Sequence, residues 1–515
     1  MVGKFRNEPV LDFSIPENKK KMEDALAYVK SQFTREYPLR INGEDVKSGN
    51  LFKSCNPANK DEVVGTFHRA GKKEVDMAMD AALTAFEDWK YFDPEERGIL
   101  LIKAANIMRR RRFELNAWMV YETSKNWVEA DADTAEAIDF LDFYGREMLR
   151  LNERQPLTDT AGEFNKMIYI PLGVGAVIPP WNFPNAILVG MTSAAIVTGN
   201  TVLLKPSSDS PCTGYCMMEI MEEAGIPKGV LNFVPGSGSE IGDYIVQHHK
   251  TRFIAFTGSM EVGLRINRLA AATSEGQIWI KRVVAEMGGK DGIVVDSEAD
   301  VEAAASATVA SAFGFQGQKC SACSRVMVDE SIYDKFCDLI VEKTNKLTIG
   351  DTTDPSNYMG AVINKASFDS ISKYIEIGKK EGMLIAGGEG DDSEGYYIKP
   401  TIIKDIAPDA VIAQEEIFGP VLAVIKVKGM DEAMQVANNT IYGLTGAFFS
   451  RNKAKTARAK QEFHVGNLYI NRKCTGALVD VHPFGGFNMS GTDSKAGGRD
   501  YLQLFLQAKT ISEQL

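Results

Sequence analysis

The sequence has few of the residues that metal centres and disulfide frameworks need. Only five histidines occur in 515 residues, and the seven cysteines are an odd number. Because these cysteines are scattered along the chain, we expect reduced thiols. Cys320 and Cys323 could supply only two of the four ligands of a structural zinc, and no histidine or second C-x-x-C lies near them. The sequence therefore predicts no metal site.

Long apolar runs and an excess of positive charge are also lacking. No apolar run approaches the length that spans a bilayer, and the N-terminal residues lack the apolar core and cleavage site of a secretory signal. With 58 basic against 69 acidic residues, the net charge is −11. We therefore expect a cytoplasmic protein with neither membrane nor nucleic acid as partner.

Alternation of strands and helices is what the sequence does contain. Residues 1–150 are mostly helical in pattern, and residues 148–170 predict a polar hairpin. From residue 166 short β-branched runs alternate with helices, and a second such series begins at "DGIVVD". This pattern predicts an α/β protein with parallel, doubly wound sheets and a cleft near residues 286–290. The tail has the alternation of an edge strand added to another sheet.

Three stretches at predicted strand ends suit ligand binding. Gly258 and Ser259, with Gly263 one helical turn on, could let backbone N–H groups approach a pyrophosphate. Lys205 ends a buried strand, where a lysine is costly unless it meets a ligand or solvent. Asn182, in "VIPPWNFP", offers an amide donor that suits an oxyanion. A structural role remains the alternative for each stretch taken alone.

The stretch "FQGQKCSAC" admits three interpretations: a metal clip, a redox dithiol and a single nucleophile. The metal clip lacks ligands. A redox dithiol stays open, although it is more typical of a small thioredoxin-like unit. With Glu286 at a strand end before two glycines, Cys320 would complete the parts for covalent catalysis followed by hydrolysis.

Six motifs together resemble the aldehyde dehydrogenase superfamily over roughly residues 35–515. They are "PWNFP", "KPSS", "FTGS" with Gly263, "EMGGK", "GQKC" and "EEIFGP", in that family's order and approximate spacing. The resemblance implies that Cys320 is the nucleophile, that Glu286 is the general base, and that Asn182 and the Cys320 N–H form the oxyanion hole. Cys323 is then a packing residue. The implied cofactor-binding set is Trp181, Lys205, Ser208, Gly258, Ser259, Gly263, Glu416 and Phe418.

A finer resemblance, to the 1-pyrroline-5-carboxylate dehydrogenase branch, rests on "KCSACSR" and "NRKCTGALVDVHPFGGFNMSGTDSKAGGRDYL". It implies oxidation of L-glutamate γ-semialdehyde to glutamate. The implied substrate-binding set is Phe183, Ser321, Gly476, Ala477, Phe484 and Glu136. In this set Ser321 and the loop Thr475-Gly476-Ala477 bind the α-carboxylate, and the two phenylalanines clamp the chain. Asp480 and His482 stand where amide-type residues are expected, and Arg499 where proline is expected.

The resemblance also implies a three-part subunit: a Rossmann-like cofactor domain, a catalytic α/β domain and a small β element for oligomerisation. The predicted divisions are 1–147 with 171–288 for the cofactor domain, 289–488 for the catalytic domain, and 148–170 with 489–515 for oligomerisation. We expect NAD as cofactor, an aldehyde as substrate and a homo-oligomer. Ser208 is neutral where an acid would repel a 2′-phosphate, which leaves NADP open. The rival functions are another aldehyde substrate, a cofactor-free thiol hydrolase or acyltransferase, and a non-catalytic homologue.

Overall fold

The computed structural model describes residues 3–515, and its strands belong to two large and three small sheets. The strands are β1 (Glu36–Tyr37), β2 (Leu39–Ile41), β3 (Glu44–Val46), β4 (Leu51–Asn56), β5 (Asn59–His68), β6 (Glu163–Pro171), β7 (Val174–Ile178), β8 (Thr201–Leu204), β9 (Leu231–Phe233), β10 (Phe253–Thr257), β11 (Arg282–Glu286), β12 (Asp291–Val295), β13 (Cys323–Asp329), β14 (Met383–Ala386), β15 (Gly390–Asp391), β16 (Tyr397–Ile398), β17 (Thr401–Lys404), β18 (Val421–Val427), β19 (Thr445–Phe449), β20 (Asn467–Ile470) and β21 (Leu506–Gln514).

Helices connect most of these strands. They are α1 (Pro16–Ser31), α2 (Lys72–Trp89), α3 (Pro94–Arg110), α4 (Arg112–Thr123), α5 (Trp127–Asn152), α6 (Ala186–Val197), α7 (Pro211–Ala224), α8 (Asp243–Gln247), α9 (Met260–Ala271), α10 (Val301–Phe313), α11 (Tyr333–Thr344), α12 (Lys365–Glu381), α13 (Val411–Gln414), α14 (Gly429–Asn438) and α15 (Lys453–Glu462). A π-helical turn (Gly238–Gly242) and three short 3₁₀ helices (Gly314–Gly317, Asn488–Ser490 and Tyr501–Phe505) complete the set.

The first large sheet has the strand order β11-β10-β7-β8-β9-β2-β3. Five of its strands, β7 to β11, run parallel, and β2 and β3 add an antiparallel edge. Every residue of β8 and β10 is buried, as expected where helices cover both faces of a parallel sheet. Helix α6 is likewise buried over almost its whole length. The predicted doubly wound α/β fold is confirmed.

The second large sheet has the order β14-β17-β18-β13-β12-β19-β20, and only β14 among its strands is antiparallel to its neighbour. The chain passes from the first sheet to the second between Glu286, which ends β11, and Asp291, which begins β12. This crossing lies within the segment where the sequence predicts the cleft. The division into three domains remains a prediction.

Residues 36–68 differ from the helical pattern predicted for residues 1–150. They form β1 to β5, of which β2 and β3 join the first sheet and the others form a small sheet. The pairing of β2 with β9 brings Arg40 opposite Phe233, far along the chain. A three-residue strand whose partner is so distant leaves no local periodicity. Residues 1–150 are therefore mostly helical, as predicted, but the sequence pattern did not indicate these strands.

The polar hairpin predicted over residues 148–170 does not form. Helix α5 continues to Asn152, and β6 pairs instead with the C-terminal strand β21, antiparallel, with Glu163 opposite Gln514. The pairing is thus between the two segments predicted to serve oligomerisation, and that role remains a prediction. No helix within residues 3–515 has the length and apolar character needed to cross a membrane.

Candidate active site

The predicted site residues converge where the two large sheets meet. Asn182, Lys205, Ser259 and Glu286 lie at or just after the carboxyl ends of β7, β8, β10 and β11, where parallel sheets bind ligands. From the second sheet, the chain contributes segments that precede strands. Cys320 lies before β13, and the segment with Glu416 and Phe418 lies before β18. The cleft is therefore formed by carboxyl ends on one side and amino ends on the other.

A strained turn carries Cys320. After α10 ends, Phe315, Gln316 and Gly317 have φ values of 51°, 57° and 67°, a left-handed conformation that costs energy for the two non-glycine residues. At Gly317 a Cβ would lie 2.4 Å from the carbonyl oxygen of Gly419, so the backbones approach closely there. Such a turn persists only where its surroundings hold it in place.

The side chain of Gln316 helps to stabilise this turn. It is buried, and its Nε2 donates to the carbonyl oxygens of Ser124 and Ala361 at 3.0 and 2.9 Å. From the opposite side, a Cβ on Gly289 would lie 2.5 Å from the carbonyl oxygen of Cys320. The "EMGGK" and "GQKC" motifs are therefore in direct contact, and glycine is needed where they meet.

Asn182 lies beside the same turn. Its side chain is buried, and its Nδ2 donates to the carbonyl oxygen of Gln318 at 3.0 Å. Because Gln318 lies two residues before Cys320, this bond fixes the orientation of the Asn182 amide beside the nucleophile. The second Nδ2 hydrogen remains as a donor of the kind that stabilises an oxyanion.

The two cysteines of the C-x-x-C have different surroundings. Cys320 is partly exposed, and burial together with the nearby carboxylates of Asp291, Glu416 and Glu286 raises the pKa of its thiol well above the usual value. Cys323 is buried as the first residue of β13, where its Sγ donates to the carbonyl oxygen of Arg325 at 3.4 Å. Only Cys320 is accessible from the cleft.

Glu286 is the last residue of β11 and accepts a hydrogen bond from the Ser494 hydroxyl. Burial raises the pKa of its carboxyl to about 8, although the bond from Ser494 and the charge of Lys495 oppose the shift. Its Oε2 has no hydrogen-bond partner within residues 3–515. Cβ atoms added at Gly485 and Gly491 would lie 3.0 and 3.3 Å from the two carboxyl oxygens, so the carboxyl group fits between glycines.

A second acid, the half-buried Glu416, lies close to the motif that follows Glu286. Its Oε1 accepts from the Gly289 N–H at 3.1 Å, and a Cβ on Gly288 would lie only 2.0 Å from its Oε2. Burial raises its pKa to about 7. Phe418, two residues on, packs edge-on against Trp181 with ring centroids 5.5 Å apart.

Lys205 is buried at the end of β8. Burial lowers its pKa to about 8, and its Nζ makes a single hydrogen bond within residues 3–515, of 3.4 Å, to the neighbouring Pro206 carbonyl oxygen. A buried ammonium with so weak a partner fits a ligand hydroxyl or phosphate. Ser208, three residues on, is exposed.

The turn after β10 leads into helix α9. Ser259 caps this helix by accepting from the Val262 N–H, and Gly258 lies directly before it. At Gly263 a Cβ would lie 2.4 Å from the Met287 sulfur, which explains why the residue is glycine. The free N–H groups of the first helical turn are suited to a phosphate.

Two aromatic rings, those of Phe183 and Phe315, lie near the nucleophile turn with centroids 6.4 Å apart.

The carbonyl oxygen of Ser321 accepts from the Cys474 thiol at 3.4 Å. Cys474 directly precedes Thr475-Gly476-Ala477, so this bond joins the nucleophile turn to the predicted carboxylate loop. Phe484 lies on a neighbouring segment, where its backbone pairs with Ala496.

Glu136 lies half-buried on α5. Burial, with the charges of Asp133 and Asp139, raises its pKa to about 8, while Lys125 and Lys319 oppose the shift. A substrate ammonium placed here would favour the ionised form of Glu136.

Sequence reasoning missed Lys125, Asp133 and Glu129 around this pocket. The Nζ of Lys125 is buried 3.7 Å from the centroid of Phe315 and 4.2 Å from that of Phe183, and 3.4 Å from the Asp133 carboxylate. Lys319 is paired with Glu129 at 2.7 Å. In the sequence, Lys125 cannot be told from a surface lysine, because its aromatic partners are distant along the chain. Only the position of Lys319 beside Cys320 pointed to the site.

Comparison with known proteins identifies the family. The family model described as "Aldehyde dehydrogenase family" matches residues 45–511. The 1-pyrroline-5-carboxylate dehydrogenase of Geobacillus sp. (strain WCH70) is 57% identical over 513 residues, covering 100% of each chain. The chain belongs to the aldehyde dehydrogenase family.

Solved structures of other aldehyde dehydrogenases are similar to this chain in fold. A Thermus 1-pyrroline-5-carboxylate dehydrogenase with bound NAD has a TM-score of 0.98 and 49% identity, with 100% of both chains covered. A betaine aldehyde dehydrogenase from Staphylococcus aureus in complex with NAD⁺ has a TM-score of 0.89 and 30% identity, covering 96% of this chain and 97% of that one.

The aldehyde dehydrogenase fold also accounts for two residues that depart from the expected pattern. Asp480 and Arg499 lie on neighbouring segments, and the guanidinium of Arg499 is 3.4 Å from the Asp480 carboxylate. The acid near the carboxylate loop is therefore paired with a positive charge. His482 contacts Arg472, with Nε2 and Nη1 3.2 Å apart.

Proposed function

We propose that this aldehyde dehydrogenase oxidises L-glutamate γ-semialdehyde, the ring-opened form of 1-pyrroline-5-carboxylate, to L-glutamate in proline and arginine catabolism. The observation that carries the proposal is the bond between Cys474 and Ser321, which joins a nucleophile turn to a loop with two free N–H donors. A short aldehyde with a distant carboxylate fits this arrangement, because its aldehyde can reach the nucleophile turn while its carboxylate binds the loop. The relatives named 1-pyrroline-5-carboxylate dehydrogenase, over the full chain, support the same substrate.

Cys320 acts as the nucleophile in this proposal. The partly exposed thiol first gives its proton to solvent water. The resulting thiolate attacks the aldehyde carbon, so that a C–S bond forms while the C=O π bond breaks and the carbonyl oxygen becomes the oxyanion of a thiohemiacetal. Asn182 Nδ2 and the Cys320 N–H stabilise that oxyanion. Because the amide of Asn182 is already fixed by Gln318, little reorganisation accompanies the reaction. Loss of hydride from the carbon then leaves a thioester on Cys320.

Glu286 serves the second half of the reaction. Its carboxylate takes a proton from a water, and the resulting hydroxide attacks the thioester carbon; the C–S bond breaks, and the acid is released. The pKa of about 8 suits this role, since a base of that strength is stronger than an ordinary carboxylate yet partly ionised at neutral pH. The unpartnered Oε2 is the oxygen that can accept the water proton.

The cleft fits NAD. Buried Lys205 and half-buried Glu416 are suited to ribose hydroxyls, and the start of α9 with Gly258 and Ser259 is suited to the pyrophosphate. Phe418 and Trp181 offer an aromatic wall. When bound, the nicotinamide supplies the acceptor for the hydride. The Thermus and Staphylococcus structures with NAD support the choice of cofactor.

The substrate is held at both ends. Ser321 and the N–H groups of Gly476 and Ala477 bind the α-carboxylate, Glu136 binds the α-ammonium group, and Phe183 and Phe484 contact the aliphatic chain. The rings of Phe183 and Phe315 lie on either side of the Lys125 ammonium, which restrains the aromatic wall. Binding at two ends orients the aldehyde carbon toward Cys320.

Substrate comparison tests the proposal. We expect kcat/KM for the semialdehyde to exceed that for an uncharged aldehyde of equal length by about ten- to a hundredfold, since hydrogen bonds to a charged group contribute ~1.5–3 kcal/mol. Ser321→Ala should reduce this preference roughly tenfold. Ser306→Ala, an exposed serine on α10, is the matched control. If the parent shows no preference, the enzyme acts on another aldehyde; if nicotinamide stays unreduced, Cys320 serves a cofactor-free hydrolase or acyltransferase.

Ser208 is expected to govern the choice between NAD and NADP. We expect NAD to be preferred. NADP should also be accepted, because a neutral, exposed residue near the adenosine ribose does not repel a 2′-phosphate. Ser208→Glu should raise the ratio of NAD to NADP efficiency roughly tenfold, equivalent to ~1.4 kcal/mol. Steady-state kinetics with both cofactors, and Ser208→Ala as the neutral control, measure the effect. An unchanged ratio in Ser208→Glu would place Ser208 away from the ribose.

We further propose that the enzyme works in the cytoplasm as a homo-oligomer. All seven cysteines are free, which suits a reducing compartment. The two-stranded sheet of β6 and β21 has exposed apolar side chains, Phe164 and Ile168, that a second subunit could cover. Sedimentation velocity of the purified protein measures the assembly, and a monomer at all concentrations would contradict it.

A further inference from the structure

One side chain contacts both peptide groups of the proposed carboxylate loop. The Nη2 of Arg472 donates to the carbonyl oxygens of Thr475 and Gly476, each at 3.0 Å. These two carbonyls belong to the peptide groups whose N–H donors come from Gly476 and Ala477. Arg472 is not among the residues proposed to bind the substrate or the cofactor.

Peptide geometry gives this contact a consequence. In a trans peptide group the C=O and N–H bonds point in opposite directions across the plane. Because one guanidinium nitrogen holds both carbonyl oxygens on the same side, the N–H groups of Gly476 and Ala477 are turned to the other side together. Gly476 has φ 78°, a left-handed conformation that glycine adopts at little cost and that allows successive N–H groups to form an anion-binding concavity.

Arg472 is itself held by two neighbours. Its guanidinium carbon lies 4.3 Å from the ring centroid of Tyr469, at the end of β20. Its Nη1 lies 3.2 Å from Nε2 of His482. Burial and the charge of Arg472 lower the pKa of His482, so the ring adds no positive charge beside the guanidinium. Arg472 is thereby anchored on the strand side of the loop.

We propose that Arg472 is a positioning residue for substrate selection: by binding the carbonyl oxygens of Thr475 and Gly476, it holds the two N–H donors in the arrangement that captures the α-carboxylate. This inference rests on the proposed function, since it concerns the same carboxylate. His482, which stands where an amide-type residue is expected, supports the guanidinium rather than the substrate.

The test compares charged and uncharged ligands in three variants. Arg472→Gln removes the guanidinium, Arg472→Lys keeps a positive charge without its planar geometry, and Arg451→Gln changes an exposed arginine paired with Asp300 in the same α/β unit. Each is assayed with the semialdehyde and with an uncharged aldehyde of equal length, at low and high salt. Binding of L-glutamate, the proposed product, is measured by calorimetry.

We expect Arg472→Gln to raise the KM for the semialdehyde and the Kd for L-glutamate about ten- to a hundredfold, because the loop loses the hydrogen bonds that orient its donors. The kcat for both aldehydes and the KM for the uncharged aldehyde should stay within about twofold of the parent, and Arg451→Gln should match the parent. Arg472→Lys should resemble Arg472→Gln at both salt concentrations.

Three results would overturn the inference. An equal loss on both aldehydes would assign Arg472 a general structural role. Parental KM and Kd values in Arg472→Gln would remove any role in capture. An Arg472→Lys enzyme that matches the parent at low salt and weakens at high salt would indicate attraction by charge instead of loop geometry. If the parent itself does not prefer the semialdehyde, the proposed function fails together with this inference; in the other three cases only the inference fails.

Discussion

Replacing Cys320 by alanine will abolish aldehyde oxidation. Without the sulfur no thiohemiacetal or thioester can form, and enzymes that lose a covalent nucleophile lose on the order of 10⁴-fold or more in kcat. The side chain is partly exposed at a turn whose shape depends on Gln316 and Gly317, so the variant should keep its fold. Binding of NAD, followed by fluorescence quenching, should remain close to that of the parent.

Cys323→Ala is the matched control for this prediction. Its thiol is buried and bonded to the Arg325 carbonyl oxygen, so the expected cost is a modest loss of stability, ~1 kcal/mol, with most activity retained. Activity that survives in Cys320→Ala but disappears in Cys323→Ala would show that Cys323, and not Cys320, is the nucleophile. Loss in both variants, with folding intact, would favour a redox dithiol.

Glu286→Gln is expected to separate the two halves of the reaction. The amide cannot take a proton from water, so the first turnover proceeds and the thioester accumulates. Stopped-flow absorbance should show a burst of reduced nicotinamide close to one per active site, followed by a steady rate lower by about 10²- to 10⁴-fold. A steady rate equal to that of the parent would remove Glu286 from the hydrolytic step.

The pH dependence gives a second readout of the same residue. A base with a pKa of about 8 is mostly protonated below that pH, so hydrolysis by the parent should accelerate as pH rises and level off above about 8. In Glu286→Gln this rise should vanish while the burst persists. Ser494→Ala removes a bond that stabilises the carboxylate, so the midpoint should move to higher pH.

The sequence was most informative where a residue type is required by a close contact. Gly288, Gly289 and Gly263 stand where a Cβ would collide with Glu416, Cys320 or Met287. Such constraints keep the motifs recognisable, and together the motifs predicted the family, whereas the alternation of strands and helices predicted the α/β fold. The structure brings the residues of these motifs into one cleft. Their individual roles remain proposals that the variants above test.

Contacts between distant segments could not be predicted. Lys125 meets Asp133 locally, yet its aromatic partners Phe183 and Phe315 come from two other parts of the chain. Strand β6 was assigned to a hairpin because its partner, β21, lies at the other end of the sequence. In both cases the stabilising partner is far away in the sequence, and the periodicity of a single sequence does not indicate such contacts.

Mass spectrometry of Glu286→Gln tests the central claim most directly. The variant is mixed with NAD and L-glutamate γ-semialdehyde, quenched in acid and digested, and the peptide containing Cys320 and Cys323 is fragmented. We predict a γ-glutamyl thioester on Cys320 in nearly one equivalent, and none when NAD is omitted. An acyl group on Cys323, or no acyl group on either cysteine while reduced nicotinamide is formed, would contradict the account.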